Sequence, residues 1–395
     1  NGTPDDEYEV DRDIKDRLEE QTIYAIAAGG ETVTGPWSME YQLSYAYAEE
    51  AEPDRIDTAF RQQFDTGVFG IDVTDSITPT LIFGDDASRN AYYDASAYEF
   101  DELEFLNGAS EDDEWAGKFD LRRDTQFGPH FGYLQAGVSY RVREKGYTAE
   151  LEVYDGFDPR DLFLSEFTDS VEFGLDDIGV TPEPFAIRDF FFANRSDFEF
   201  DPINSAIGST GDFYQAEEDV FAGYLMGSVD IDRLRIVGGV RVEDTQYDSR
   251  GFEVLEQAVE VAVAGDQTGS FTGFIPAPAL PGAELIADTV EAEYDAGDDE
   301  TAIEGDRVFR RAVSTTNDYT DWLPSINLRY EASEQLILRG AYYASISRPN
   351  LEQAAPRVAI EQSEDGDVEA EFGNPDLERQ EAHNFDAAIE YYPNR

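Results

Sequence analysis

From Trp37 to Ala48 the chain alternates without a break. Odd positions carry Trp37, Met39, Tyr41, Leu43, Tyr45 and Tyr47; even positions carry Ser38, Glu40, Gln42, Ser44, Ala46 and Ala48. A period of two specifies a β-strand with two unlike faces. Two folds accommodate such a strand. A soluble sandwich turns the aromatics into a core, whereas a membrane barrel turns them to lipid and keeps the serines and acids in a wet lumen.

The pattern recurs along the chain. Trp115, Phe119 and Leu121 oppose Lys118, Asp120, Arg122 and Asp124. Leu134, Ala136, Val138, Tyr140 and Val142 oppose Gln135, Ser139, Arg141, Arg143 and Lys145. Leu234, Ile236, Val240 and Val242 oppose Arg235, Arg241 and Glu243; Trp322, Ile326, Leu328 and Tyr330 oppose Ser325, Asn327 and Arg329. One strand, 219–229, is apolar on both faces and has no readable orientation. The spacing predicts about eleven strands, near 14–30, 36–49, 59–73, 79–106, 113–126, 132–147, 217–229, 233–249, 308–330, 335–348 and 382–393. Short turns are expected near 30–36, 74–79, 127–131, 229–233 and 331–335, and longer segments at 50–58, 84–112, 147–215, 250–317 and 349–380.

Short and long connections in strict alternation send every long loop out of the same end. That is the habit of outer-membrane barrels, not of sandwiches. Arginines on the polar faces would be costly in a soluble core and are ordinary in a wet lumen. Trp37, Tyr47, Trp322 and Tyr330 at the ends of apolar faces suit interfacial girdles. The aromatics are therefore assigned to lipid. The fold expected is all-β, a portion of a large antiparallel transmembrane barrel with long acidic extracellular loops.

Composition agrees. The 395 residues include 87 acidic and 28 basic side chains, a net charge of -59, which argues against nucleic acid as a partner. Aromatics at 13% argue against disorder. No apolar run approaches the ~20 residues of a membrane helix. A mean hydropathy of -0.50 does not exclude a barrel, which hides its lipid face in every second residue. There is no cysteine, hence no disulfide framework. The chain starts without Met and ends inside an alternating run, so a piece of a longer barrel is expected, with residues 1–395 as one partial barrel domain.

Two linked stretches carry a family resemblance. Ser345 to Arg357 contains Ser347-Arg348-Pro349-Asn350, and Gly373 to Tyr392 opens with Gly373-Asn374-Pro375-Asp376 before Asn384-Phe385-Asp386 and Glu390-Tyr391-Tyr392. Together they resemble the TonB-dependent receptors of bacterial outer membranes, and 11–31 and 319–330 are similar to that family as well. The resemblance implies a 22-stranded barrel, of which eleven strands would be half, and a plug domain and closing strands not found in this chain. It implies partners: outer-membrane lipid, the receptor's own plug, the TonB complex and a small nutrient ligand such as an iron chelate (a siderophore), cobalamin or an oligosaccharide. It implies outer-membrane location, import without covalent chemistry, and no cofactor. The motif residues also have local reasons: Pro349 cannot donate to a ladder, and Asn374-Pro375-Asp376 suits a turn.

Candidate chemistry is sparse. The two histidines, His130 and His383, form no catalytic constellation, and no phosphate loop is present. The acidic stretches 295–306 and 363–367 could offer oxygens to Ca2+ but lack EF-hand spacing and read as solvated loops. Phe185, Phe190, Phe191 and Phe192 are expected to pack beneath their own loop. The coherent cluster is Lys118, Asp120, Arg122, Arg141, Arg143 and Lys145 on one hairpin, expected to face the lumen and the plug. Two rival readings remain: an outer-membrane channel or adhesin without TonB coupling, and a secreted acidic β-sandwich that binds or hydrolyses glycans.

Overall fold

The computed structural model describes residues 8–64, 69–74, 80–169, 179–268, 281–296, 299–362 and 368–393. Among these residues, the main path of the wall is built from ten strands: β1 (Tyr8–Asp16), β2 (Glu20–Thr34), β3 (Trp37–Phe64), β4 (Glu99–Phe127), β5 (His130–Phe157), β6 (Tyr214–Ile231), β7 (Leu234–Ala264), β8 (Glu300–Glu331), β9 (Leu336–Ser347) and β10 (Gln380–Tyr391). Strands β3 to β10 pair antiparallel with their chain neighbours. Strands β1 and β2 share one edge, pairing the far and near halves of β3. The wall thus has nine positions, with β1/β2 and β10 as its outer members.

Nine replaces the eleven read from the sequence because two pairs of segments merge. The segments 36–49 and 59–73 are one strand, β3, and its expected loop at 50–58 is a bulge between Glu52 and Arg55, where Asp54 takes φ 52°. Pro53 sits inside that bulge, where no ladder hydrogen bond is asked of it. The segments 79–106 and 113–126 likewise yield β4, whose ladder to β5 is continuous from Leu103 to Phe127. Residues 80–83 form a small hairpin with 69–72 instead of joining the wall.

The near turns are tight. Gly35-Pro36 and Gly128-Pro129 each link two strands, with φ at +57° and +63° on the glycines. A positive φ at the first central position is what a II′-type hairpin needs, and glycine meets it without a Cβ clash. Asp232 does the same at +52°. All long connections leave from the far end. Several strands run 28 to 32 residues, against the ~9–11 that cross a bilayer, so their far halves project beyond any membrane band.

Register sorts the side chains. One face carries Tyr45 beside Trp115, Tyr41 beside Phe119 and Val138, Phe221 beside Tyr140, Leu225 beside Ala136, and Trp322 beside Val242. Trp115, Leu225 and Trp322 on it are 54%, 59% and 68% exposed. The two-faced strand 219–229 is oriented by these pairings: Phe221 and Leu225 join the apolar face, while Val220 and Ala222 turn to the other and are buried there.

Beyond the aromatic band, the loop between β5 and β6 packs back onto the same face as Trp115. Ile56, Leu103, Phe105 and Tyr154 from the wall meet Leu162, Leu164, Phe167, Ile187, Phe191 and Phe198 from the loop. Helix α1 (Asp86–Tyr92) precedes β4, α2 (Pro184–Asn194) lies in this loop, and α3 (Pro202–Gly211) closes it. Glu183 caps α2, with Pro184 in its first turn. Phe190 and Phe191 pack inward as expected, whereas Phe185 and Phe192 remain exposed. Arg12 lies between the rings of Tyr92 and Tyr98, at 4.5 and 5.2 Å from their centroids.

At the far end of β4, burial pushes the Glu102 carboxyl up to about 7, helped by Glu104, Asp101, Asp201 and Asp155 around it. A raised carboxylate pKa favours the fold below the unfolded pKa, and that contribution is lost as pH rises through the folded value. Glu102→Gln should therefore stabilise this end of β4 at pH 8, by about 1 kcal/mol after allowing for its partial exposure to solvent. The gain should vanish below pH 5. Hydrogen exchange of the β4 amides at the two pH values checks it.

Candidate functional site: the polar face

The face opposite the aromatics carries the charged rows. Reading across β3 to β7, Gln42, Lys118, Ser139, Ala222 and Glu243 align, as do Ser44, Ala116, Arg141, Val220 and Thr245, and Ala46, Glu114, Arg143, Glu218 and Tyr247. Each cation of the expected cluster lies on this face, and most are paired. Lys118 meets Glu40 at 2.8 Å, Arg122 meets Asp124 at 2.8 Å and stacks over Tyr133, and Arg143 Nε donates to Asp112 at 2.9 Å. Arg141 donates to Glu218. Asp120 accepts the Tyr224 hydroxyl, which in turn accepts from Gln135 at 2.7 Å. Lys145 stands in register with Asp112 and Ala216. The six residues share a face but form a ladder along it, with no common centre.

A centre does exist one step away, and it joins the motif residue Arg348 to carboxylates far from it along the chain. Arg348, at the start of the segment between β9 and β10, reaches two carboxylates on different strands. Its Nη2 donates to Glu243 Oε2 at 2.6 Å and to Thr245 Oγ1 at 3.0 Å, and its Nε lies 3.5 Å from Glu218 Oε2. Glu218 and Glu243 are buried, and each also holds a second arginine, Arg141 and Arg241 respectively. A recess of about 310 Å³ opens beside this group, lined in part by Ser44, Lys118, Ser139, Arg141, Arg241 and Arg348. No local pattern links positions 218, 243 and 348. Only the fold brings them together.

The residues just after Arg348 follow it onto the polar face. Leu351, Ala354 and Ala355 pack on Tyr214, Ala216 and Tyr247, and the Tyr247 hydroxyl donates to the Leu351 carbonyl at 3.0 Å. Arg379 closes the far end, with Nε on Asp321 Oδ1 and its guanidinium 4.6 Å from the Tyr319 ring centroid. Residues 358–362 pair with 368–372, and 358–360 pair parallel with 253–255 of β7.

The other motif residues shape this segment. Asn350 and Asn374 accept from the amides of Glu352 and Asp376, at 3.2 and 3.0 Å, as Asx turns do. Gly373 has no room for a side chain, since a Cβ there would lie 2.1 Å from the Ala355 carbonyl oxygen. The Pro375 carbonyl accepts from Asn317 at 2.9 Å. Ser347 ends the β9–β10 ladder opposite Gln380, and Pro349, with no N–H, lies past its end.

Helix α3 seals a seam in the wall. Strand β6 starts only at Tyr214 and residues 198–201 pair with 153–157, which leaves the β5 edge without a strand partner between Tyr147 and Val153. The Ser205 and Ser209 hydroxyls accept from the amides of Val153 and Leu151, both at 2.8 Å, in place of the missing strand. Among the described residues, no group of three or more His, Asp or Glu side chains could hold a metal ion. The expected acidic stretch 363–367 lies outside them, and 295–306 lies there in part, its described residues belonging mostly to a strand pair.

The sequence matches the family described as TonB dependent receptor-like, beta-barrel, over residues 54–395. No match was found among curated proteins. Similar solved structures include the ferric-catecholate import receptor Fiu from E. coli K12, at 11% identity and TM-score 0.35, covering 98% of this chain and 62% of that one. They also include the ferric citrate transporter FecA, at 10% identity and TM-score 0.29, covering 90% and 47%. The Serratia marcescens hemophore receptor HasR, in complex with HasA and heme, matches at 12% identity and TM-score 0.26, covering 96% and 50%. The chain thus spans about half to three-fifths of the length of these structures. The chain belongs to the TonB-dependent receptor β-barrel family.

Proposed function

We propose that this chain forms part of the wall of an outer-membrane receptor that binds a scarce nutrient and imports it with TonB-coupled energy. The observation that carries the reading is the family match across the wall strands, on a sheet whose one face is an aromatic band and whose other is a paired-charge ladder. The aromatic face meets lipid, and the ladder meets the lumen and the receptor's plug. Lys118, Asp120, Arg122, Arg141, Arg143 and Lys145 then serve as wall and plug contacts. Plug, TonB complex and a small nutrient are the partners, the nutrient being an iron chelate, cobalamin or an oligosaccharide. Import of this kind asks for shape and charge at the wall, and no bond in the substrate need be broken.

Uptake by whole cells tests the reading. Cells lacking the gene should lose accumulation of one labelled nutrient among ferric chelates, cobalamin and oligosaccharides. The same loss should follow when TonB is removed from cells that keep the gene. Uptake that survives loss of TonB would favour a passive channel, and unchanged uptake of every nutrient class would favour an adhesin.

A further inference from the structure

We propose that Arg348 is a positioning residue: by bridging Glu218 and Glu243 it latches the chain that follows it, beginning with residues 349–355, against the inner face. The inference goes beyond the import reading, since it concerns which part of the lumen is fixed and by what.

Three observations converge on it. First, one guanidinium spans two carboxylates, hydrogen-bonding Glu243 through Nη2 and lying at ion-pair distance from Glu218 through Nε. Glu218 lies on β6 opposite Tyr247, and Glu243 lies on β7 opposite Ala222, so the two carboxylates sit on adjacent strands two rows apart, with the Val220–Thr245 row between them. Arg348 reaches both while its backbone belongs to neither strand. Arginine offers several donors in a planar fork, which one ammonium cannot match.

Second, the wall does not need Arg348. Glu218 keeps Arg141 and Glu243 keeps Arg241 when Arg348 is removed. The five groups form an alternating row, Arg141, Glu218, Arg348, Glu243, Arg241, in which only the middle member comes from outside the wall strands. Its removal leaves each acid with one partner and takes away the anchor at the start of the segment, while the pairing of 358–360 with β7 and the Arg379–Asp321 contact remain. A group that served only to neutralise the wall would have no reason to come from the far connection.

Third, what the latch holds is extensive. Behind Arg348 the chain buries Leu351, Ala354 and Ala355 on the inner face, and Gly373 folds back against Ala355. Small side chains at 354 and 355 let the segment lie close to the tyrosines beneath it. Arg379 on Asp321 anchors the return limb on β8. The segment is therefore pinned at both ends to three different strands, unlike the loop between β5 and β6, whose core packs on the opposite face.

The test uses the intact receptor, cysteine-free elsewhere, reconstituted in lipid nanodiscs. Spin labels at Gln353→Cys in the segment and Glu334→Cys in the near turn report their separation by pulsed dipolar spectroscopy. With Arg348 present a single narrow distance distribution is expected. Arg348→Ala should at least double its width while heat-modifiability on gels, the mark of a folded barrel, stays unchanged. Arg348→Lys should restore part of the narrowing, because it keeps the charge without the fork. A distribution in Arg348→Ala as narrow as in the parent overturns the proposal. If Arg348→Ala fails to assemble, the Glu218→Gln/Glu243→Gln pair replaces it, with the same broadening required and the same narrow result contradicting it. Neither readout depends on the nutrient, so failure of the import reading and failure of the latch are told apart.

Discussion

Phe191→Ala should cost about 3–5 kcal/mol of local stability, the largest loss expected from any single truncation in this wall. Phe191 is fully buried at the centre of the core between the β5–β6 loop and the sheet. Its ring lies 5.2 Å from that of Tyr154, 5.3 Å from Phe198 and 5.8 Å from Phe105, in tilted and edge-on geometries that such rings prefer. Arg195 stands 5.4 Å from the same ring and is held by Glu152. Removing the ring opens a cavity between a helix and a sheet, and neither can collapse without breaking its own hydrogen bonds. The loop core should open while the barrel below it stays folded. Hydrogen exchange should show lost protection across α2 and the far end of β5, with the near halves of β3 to β5 unchanged. Protection of α2 equal to the parent's would show that the loop is held by something other than this core.

The second large effect lies in the aromatic band. Leu225→Arg should cost about 2–4 kcal/mol, the range for a basic residue at the bilayer midplane of a barrel. Leu225 is 59% exposed, in a row with Met39, Leu121 and Ala136 and between the rows of Trp115 and Trp37. Asn327→Arg, on the polar face of β8, should cost under about 1 kcal/mol, since the charge stays in water beside other arginines that already have acids. The comparison is read as folding yield into detergent or bilayer against urea. Equal costs at the two positions would mean that both faces see the same solvent.

How much of this was open to inspection in the sequence follows from where the two faces differ. In the near halves, lipid on one side and water on the other write a period of two, so Trp37 to Tyr47 and Trp115 to Asp124 can be read directly. Farther along, the code fades because both faces are covered or both are wet. Ile56 and Phe60 pack under the loop core, and Pro53 with its acidic neighbours mimics a loop, so one long strand was read as two. Strand β6 defeated orientation for a related reason: Val220 and Ala222 are buried on the polar face, so both of its faces are apolar there. Loop direction was legible, since Gly35-Pro36, Gly128-Pro129 and Asp232 punctuate only one end.

The polar cluster was legible as a face and not as a centre. Lys118 to Lys145 could be assigned by alternation within one hairpin, because hairpin register follows from a two-residue turn. The group around Arg348 spans more than a hundred residues of chain and three separate strand neighbours. Its arginine sits in a stretch whose companions, Asn350, Gly373 and Asn374, do serve loop geometry. Asn350, Gly373 and Asn374 thus shape the loop, while Arg348 leaves it for the wall.

The central claim is that this sheet stands in a membrane with the aromatic face outward, and β6 tests it best because its sequence does not reveal its faces. Spin labels placed one at a time from Glu218 to Leu225 in the intact, reconstituted receptor report access to oxygen, which favours lipid, and to a water-soluble nickel complex. The account predicts oxygen access at Phe221, Gly223 and Leu225, and none of that lipid signature at Ala222 and Tyr224, a clean period of two in the phase set by the pairing with Tyr140 and Ala136. The opposite phase, or water access at every position, would contradict it.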